Sequence, residues 1–152
     1  MAVNFKPEGY HSVTPYLYIK GAAKALDFYK SVFGAEEKFR MPNPDGTIGH
    51  AEISIGDSIV MLADEQPSMG ALSPETVGGS PSSIMVYIAD VDAVVERAVA
   101  GGAVVTRPAE DKFYGDRVAG IKDPFGFPWF VATHIKDMTM DEMIKAGEEA
   151  GG

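Results

Sequence analysis

His50 and Glu52 have side chains that could do chemistry, and a single residue separates them in a strand-like segment. Alternate residues of a strand share a face, so an imidazole and a carboxylate are predicted to lie side by side. Such a pair can move a proton as general acid and base, or supply two ligands to a metal ion. Two ligands make a weak metal site, because catalytic metals usually take three from the protein. The structural alternative is an ion pair between these residues, or with Arg117, inside a closed core.

A short hairpin predicts what lies opposite this pair. The segment from Ser58 to Ala63 is predicted to be the next strand, and Gly56-Asp57 fits a two-residue hairpin loop. This loop length places Met61 opposite Glu52. Cross-strand partners share a face, so Met61 is expected on the same side of the sheet as His50 and Glu52.

The elements that position these residues occur twice, 69 residues apart. The apolar spacing predicts helices from Ala22 to Phe33, ended by Gly34, and from Val91 to Val99, with Asp90 as N-cap. Each helix follows one strand and precedes three. The predicted strands are Val13 to Ile19, Glu36 to Met41, His50 to Ile55 and Ser58 to Ala63 in the first copy, and Ile84 to Ile88, Val104 to Thr106, Arg117 to Lys122 and Phe127 to Ala132 in the second.

We therefore predict one α+β domain over residues 1–152, built from two βαβββ modules. Module one spans 10–64 and module two spans 83–134, joined by a linker over 65–82 that is rich in proline, glycine and serine. A C-terminal helical tail over 138–149 begins with a capping-box pattern at Thr139 and Glu142.

Composition limits the classes of function. Hydrophobic residues make up 45% of the 152 residues, enough for a sizeable core. The net charge of −9 argues against nucleic acid and anionic membrane surfaces as partners. The chain has no cysteine, which excludes disulfides and thiolate metal sites. No signal peptide or membrane span is evident, so we expect a cytoplasmic protein.

Five sequence blocks stand in order along the chain: Tyr16 to Tyr29, His50 to Ile53, Tyr114 to Arg117, Asp123 to Gly126 and Ala132 to His134. Together they resemble the vicinal oxygen chelate superfamily, which includes glyoxalase I, extradiol dioxygenases, fosfomycin-resistance enzymes and bleomycin-binding proteins. The resemblance covers about residues 10–140 and is strongest to a PhnB-like bacterial branch. It implies paired βαβββ modules around a cup, and a homodimer whose modules can pair across chains.

In metal-dependent members of this superfamily, ligands from four strands point into the cup. The resemblance places these positions on Thr14, Met61, Ser83 and Phe130. Hydroxyl and thioether groups are weak ligands for Zn, Fe or Mg, and a phenyl ring has no lone pair. No metal and no cofactor is therefore expected.

Strand alternation from these positions predicts the other residues of the cup. Its apolar and aromatic members are Tyr16, Tyr18, Ile59, Met61, Met85, Tyr87 and Phe130, and its polar members are His50, Glu52 and Arg117. Arg117 enters through a register that pairs Phe130 with Ala119, and it could clamp a carboxylate or phosphate. This make-up is typical of a small-molecule pocket.

The function that this pattern favours is metal-free binding of a small apolar or aromatic molecule. A metal-dependent lyase, isomerase or dioxygenase is the main alternative, with His50 and Glu52 joined by a third ligand such as His11 or His134. A metal-free enzyme and a non-enzymatic dimeric scaffold with a filled cup are further alternatives. If there is catalysis, His50 and Glu52 are the candidate residues.

Overall fold

The computed structural model describes residues 2–151, and they form two compact units. The first unit ends at Gly79 and the second begins at Ser80. Each contains a four-stranded mixed sheet and a helix that follows the first strand. The predicted α+β class and the strand–helix–three-strand order of each unit are confirmed. No helix within residues 2–151 is both long enough and apolar enough to cross a bilayer.

The first sheet has the strand order β1-β4-β3-β2, with β1 parallel to β4 and the other pairs antiparallel. Helix α1 buries one apolar stripe that includes Leu26, Tyr29 and Val32, and Gly34 ends it in the left-handed conformation. The elements are β1 (Tyr16–Ile19), α1 (Ala22–Phe33), β2 (Glu36–Pro42), β3 (Ile48–Ile55) and β4 (Ser58–Asp64).

Strand β1 is shorter than the predicted Val13 to Ile19 because of Pro15. Proline has no amide hydrogen to donate to a ladder, although the Pro15 carbonyl still accepts from the Met61 amide at 2.9 Å. The Gly56-Asp57 hairpin is confirmed, with Ser58 opposite Ile55 and Met61 opposite Glu52.

The segment predicted as a linker has local structure. A 3₁₀ turn covers Pro67–Met69, and a short helix, α2 (Pro74–Val77), begins after Ser73. The Ser73 hydroxyl accepts from the Thr76 amide and donates to the Glu65 carboxylate at 3.0 Å. These bonds fold the first part of this segment back onto the end of β4.

The second sheet repeats the order as β5-β8-β7-β6. The Asp90 carboxylate accepts from the Ala93 amide, so the predicted N-cap of α3 is confirmed, as is the Thr139–Glu142 capping box. The elements are β5 (Ile84–Tyr87), α3 (Val91–Ala100), β6 (Val104–Asp111), β7 (Asp116–Lys122), β8 (Pro128–His134) and α4 (Met140–Glu149).

Strands β2 and β6, each at one edge of its sheet, are irregular. The register of β2 shifts between Glu37 and Phe39 and again before Pro42, and the register of β6 shifts on both sides of Arg107. Strand β6 was predicted only to Thr106. It continues to Asp111 because an outermost strand tolerates Pro108.

Candidate functional site

In the first unit, one network connects a buried carboxylate to three polar side chains. Glu52 is only 5% exposed, and its Oε1 accepts from the Tyr10 hydroxyl. Its Oε2 lies 2.7 Å from His50 Nε2, and His50 Nδ1 lies 2.8 Å from the Tyr16 hydroxyl. An ionised carboxylate only accepts, so Nε2 carries a hydrogen, and in the tautomer with Nε2 protonated Nδ1 is the acceptor for the Tyr16 hydroxyl. Both ring nitrogens are therefore engaged.

The charges of this network follow from its contacts. Burial raises the pKa of Glu52, but hydrogen bonds from Tyr10 and His50 outweigh burial and hold that pKa below its ordinary value. Burial, together with nearby Tyr18 and Glu52, raises the pKa of Tyr16, so its phenol stays protonated at neutral pH. The arrangement is a Tyr16–His50–Glu52 relay that ends in an ionised carboxylate and can pass a proton.

Two cavities border this face of the first sheet. Tyr16 and Tyr18 line one of about 420 Å³, whose other wall includes the acidic residues Asp45, Asp64 and Glu65. Glu52 and Met61 line another of about 410 Å³, together with His11, Thr14 and the segment from Phe5 to Tyr10. Of the predicted site residues of module one, Tyr16 and Tyr18 therefore line one cavity and Glu52 and Met61 the other, whereas His50 lines neither of these two.

The second unit has a cavity of about 230 Å³ against its sheet. Met85 and Phe130 lie opposite each other on β5 and β8, and both line this cavity with Val118. Arg107, Lys112 and Tyr114 line it as well. The guanidinium carbon of Arg107 lies 5.5 Å from the centre of the Phe130 ring, within the range of a cation–π contact.

The predicted position of Arg117 is wrong because the register of β7 and β8 differs by one residue. Phe130 pairs with Gly120, not with Ala119, and Arg117 pairs with Thr133. Arg117 therefore lies on the face opposite Phe130, where α3 packs. Its guanidinium binds both carboxylate oxygens of Asp92 on that helix, at 2.9 and 3.0 Å, and Asp111 at 2.9 Å. These carboxylates raise its pKa, and it serves a structural ion-pair network.

Tyr87 belongs to a separate polar cluster at the end of the second sheet. Its hydroxyl donates to Asp116 Oδ2 at 2.9 Å. The other oxygen of Asp116 lies 2.7 Å from His134 Nδ1, and His134 Nε2 lies 2.8 Å from Asp137. Asp116 is buried, whereas the His134 side chain is 51% exposed. His134 thus ties the segment after β8 to the sheet.

This cluster predicts a pH dependence of stability. Hydrogen bonds to Asp116 and then to Asp137 raise the pKa of His134 above its ordinary value. The stabilisation is therefore complete below the unfolded-state pKa of about 6.5 and is lost as the pH rises through the folded-state pKa. We expect His134→Gln to lower the melting temperature at pH 5.5 and to change it much less at pH 9, measured by circular dichroism. Lys136→Gln is the control, and an equal loss at both pH values would contradict the prediction.

The residues around these sites that were not found from the sequence include Tyr10, Arg107 and Tyr114. Tyr10 lies in an irregular segment whose contact with Glu52 spans 42 residues. Arg107 lies in a part of β6 beyond its predicted end. Tyr114 precedes Gly115, where φ is +98° and a Cβ would collide with the Lys136 carbonyl oxygen. That glycine was a visible signal of a close turn.

Comparison with known proteins identifies the family. A family model described as Glyoxalase/Bleomycin resistance protein/Dioxygenase superfamily matches residues 9–131. The chain belongs to this superfamily. An uncharacterized Mycobacterium bovis protein, Mb0911c, is 38% identical over 99% of both chains. The crystal structure of TioX from Micromonospora sp. ML1 matches with a TM-score of 0.64 and 28% identity, covering 85% of this chain and all of that one.

The expected resemblance is confirmed at the level of the superfamily. A Bacillus cereus protein described as a putative 3-demethylubiquinone-9 3-methyltransferase, PhnB protein, matches with a TM-score of 0.63 and 18% identity, over 81% of this chain and 99% of that one. At that identity the match shows a shared fold.

The residues of this superfamily member do not fit the usual metal centre. The positions implied by the resemblance hold Thr14, Met61, Ser83 and Phe130, and the Phe130 ring lines a cavity beside Met85 and Val118. His50 Nε2 and Glu52 Oε2, which would be needed as metal ligands, are hydrogen-bonded to each other. Among residues 2–151, no three His, Asp or Glu side chains are grouped so that they could hold a metal ion.

Proposed function

We propose that this superfamily member binds a small apolar or aromatic molecule without a resident metal ion. One observation carries the proposal. Phe130 stands where the resemblance implies a metal ligand, and its ring instead forms a cavity wall beside Met85 and Val118. A position used for coordination elsewhere in the superfamily thus offers an apolar surface here.

The make-up of this cavity supports the proposal. Pockets for small molecules are mostly apolar, with a few polar groups that orient the ligand. Here the apolar groups are Met85, Val118 and Phe130, and the polar groups are Arg107, Lys112 and Tyr114. Its volume of about 230 Å³ is below the roughly 300–1,000 Å³ of drug-sized sites and suits a small ligand. Met85 is 46% exposed, so the apolar wall is accessible.

The first unit supplies a second aromatic surface. Tyr16 and Tyr18 are each about two-fifths exposed, and their rings lie 5.2 Å apart. Aromatic side chains of this kind offer a large contact area to a ligand at low entropic cost. The homodimer implied by the superfamily remains a prediction, as does the absence of nucleic acid and membrane partners.

Metal analysis and one uncharged probe test the proposal. We expect protein purified without chelator to contain far less than one equivalent of Zn, Ni, Fe or Mn by mass spectrometry. We also expect N-phenylnaphthylamine, an uncharged aromatic fluorophore, to bind, and Phe130→Ala or Met85→Ala to weaken that binding about tenfold. Val99→Ala, which shortens an exposed apolar side chain on α3, is the control. Thermal melts establish that each variant is folded.

Two results would overturn the proposal. One is a stoichiometric metal that is lost in His50→Ala, which would favour a metal-dependent lyase, isomerase or dioxygenase. The other is the absence of probe binding to the folded wild-type protein, or binding that Phe130→Ala and Met85→Ala leave unchanged.

A further inference from the structure

The contact of Arg107 is of a different kind from those of Arg40 and Arg117, which form ion pairs. Arg40 is held by Glu37, and Arg117 is held by Asp92 and Asp111. Among residues 2–151, the contact of the Arg107 guanidinium is the face of the Phe130 ring, and no carboxylate neutralises it. The chain has 22 acidic and 13 basic residues, so a guanidinium without a carboxylate partner beside a cavity is unexpected. Its charge is available to a ligand.

Backbone geometry places Arg107 over this ring. Arg107 lies opposite Gly120, which in turn pairs with Phe130. A Cβ at Gly120 would lie 3.3 Å from Cβ and Cγ of Arg107 and 2.8 Å from Thr106 Oγ1. Because Gly120 has no side chain, it leaves room on this face of the sheet for the Arg107 side chain to reach Phe130. Register shifts lie on both sides of Arg107, as at a β-bulge.

The other charged residue that lines this cavity is Lys112, whose ammonium group is paired with the Glu110 carboxylate. Arg107 therefore supplies the uncompensated positive charge of the wall. Within the described residues, no Asp or Glu belongs to the lining of this cavity. The larger cavity beside Tyr16 and Tyr18 is different, because Asp45, Asp64 and Glu65 line it. Charge complementarity therefore favours an anion only in the second unit.

We propose that the Arg107–Phe130 cavity selects a small planar aromatic anion. The aromatic body lies against Phe130 and Met85, and its carboxylate or sulfonate accepts hydrogen bonds from the Arg107 guanidinium. This inference rests on the proposed function. It adds the charge of the ligand and names the residue that recognises that charge. It also transfers to Arg107 the anion-binding role that the sequence suggested for Arg117.

A matched pair of probes tests the selection. Anilinonaphthalene sulfonate and N-phenylnaphthylamine share the same ring system and differ in the sulfonate. We expect the sulfonate probe to bind the wild-type protein more tightly. Arg107→Gln should weaken binding of the sulfonate probe about tenfold, near the low end for a hydrogen bond to a charged group, and leave binding of the uncharged probe within about twofold. Arg97→Gln removes the same charge from α3, which packs on the opposite face, and should change neither.

The outcomes separate this inference from the proposed function. If both probes bind equally and Arg107→Gln affects neither, the charge selection is wrong and metal-free aromatic binding stands. If the sulfonate probe binds but Phe130→Ala does not weaken it, the assigned cavity is wrong. If neither probe binds, both proposals fail. A fall in sulfonate affinity with salt that disappears in Arg107→Gln would support the inference.

Discussion

Trp129→Ala is expected to lower the free energy of unfolding by about 3–5 kcal/mol, the usual cost of truncating a buried aromatic side chain. Trp129 is 1% exposed, and it is the only tryptophan in the chain. Its indole Nε1 donates to Asp123 Oδ2 at 2.9 Å. The substitution therefore leaves a cavity and also removes a donor from a buried carboxylate. Urea denaturation followed by circular dichroism measures the change, because the variant has no tryptophan fluorescence.

Trp129→Phe separates these two contributions. Phenylalanine retains most of the apolar contact but has no N–H for Asp123, so we expect a loss of about 1–3 kcal/mol. Asp123 also accepts from the amides of Phe125 and Phe127, at 2.9 and 3.0 Å, and so shapes the turn between β7 and β8. A loss below about 1 kcal/mol for Trp129→Ala would contradict the central position of this side chain in the core.

Asp64→Ala is expected to lower the free energy of unfolding by about 2–4 kcal/mol, because the Asp64 carboxylate accepts hydrogen bonds from three backbone amides. Oδ1 accepts from Gly21 and Ala22 at 3.1 and 3.0 Å, and Oδ2 accepts from Ile48 at 2.7 Å. Gly21 at the start of α1 has no side chain to cap the helix, so Asp64 supplies the cap from β4.

The controls for Asp64 test whether the carboxylate itself matters. Asp64→Asn keeps one acceptor oxygen and should lose about half as much stability. Asp57→Ala removes a carboxylate from the exposed hairpin loop of the same unit and should cost less than about 0.5 kcal/mol. Equal effects of Asp64→Ala and Asp57→Ala in chemical denaturation would rule out the proposed bridge between strand and helix.

The two hairpins show how far sequence can predict a sheet. The loop Gly56-Asp57 has a defined geometry, so the opposition of Glu52 and Met61 followed from it and is confirmed. The loop at Asp123 to Phe127 is longer, and its conformation depends on the bonds that Asp123 makes to Phe125, Phe127 and Trp129. Those bonds are not visible in a residue pattern. The resulting error of one residue moved Arg117 to the wrong face of the sheet.

Part of the candidate site was also predictable from the sequence, and part was not. His50 and Glu52 alternate on a regular strand, so their shared face was evident, and the structure brings them to 2.7 Å. Arg107 was missed because the proline at position 108 argues against a continuing strand. Tyr10 was missed because its segment has no periodicity, and only tertiary folding brings it to Glu52.

The irregular outer strands have a consequence for how the protein behaves at high concentration. A regular strand at the margin of a sheet is a template on which another molecule can add a strand and begin to aggregate. Strand β2 interrupts that template with two register shifts among charged residues, and β6 does so with two shifts and Pro108, which has no amide hydrogen. The irregular register around Arg107 thus also protects this edge of the second sheet against intermolecular strand addition.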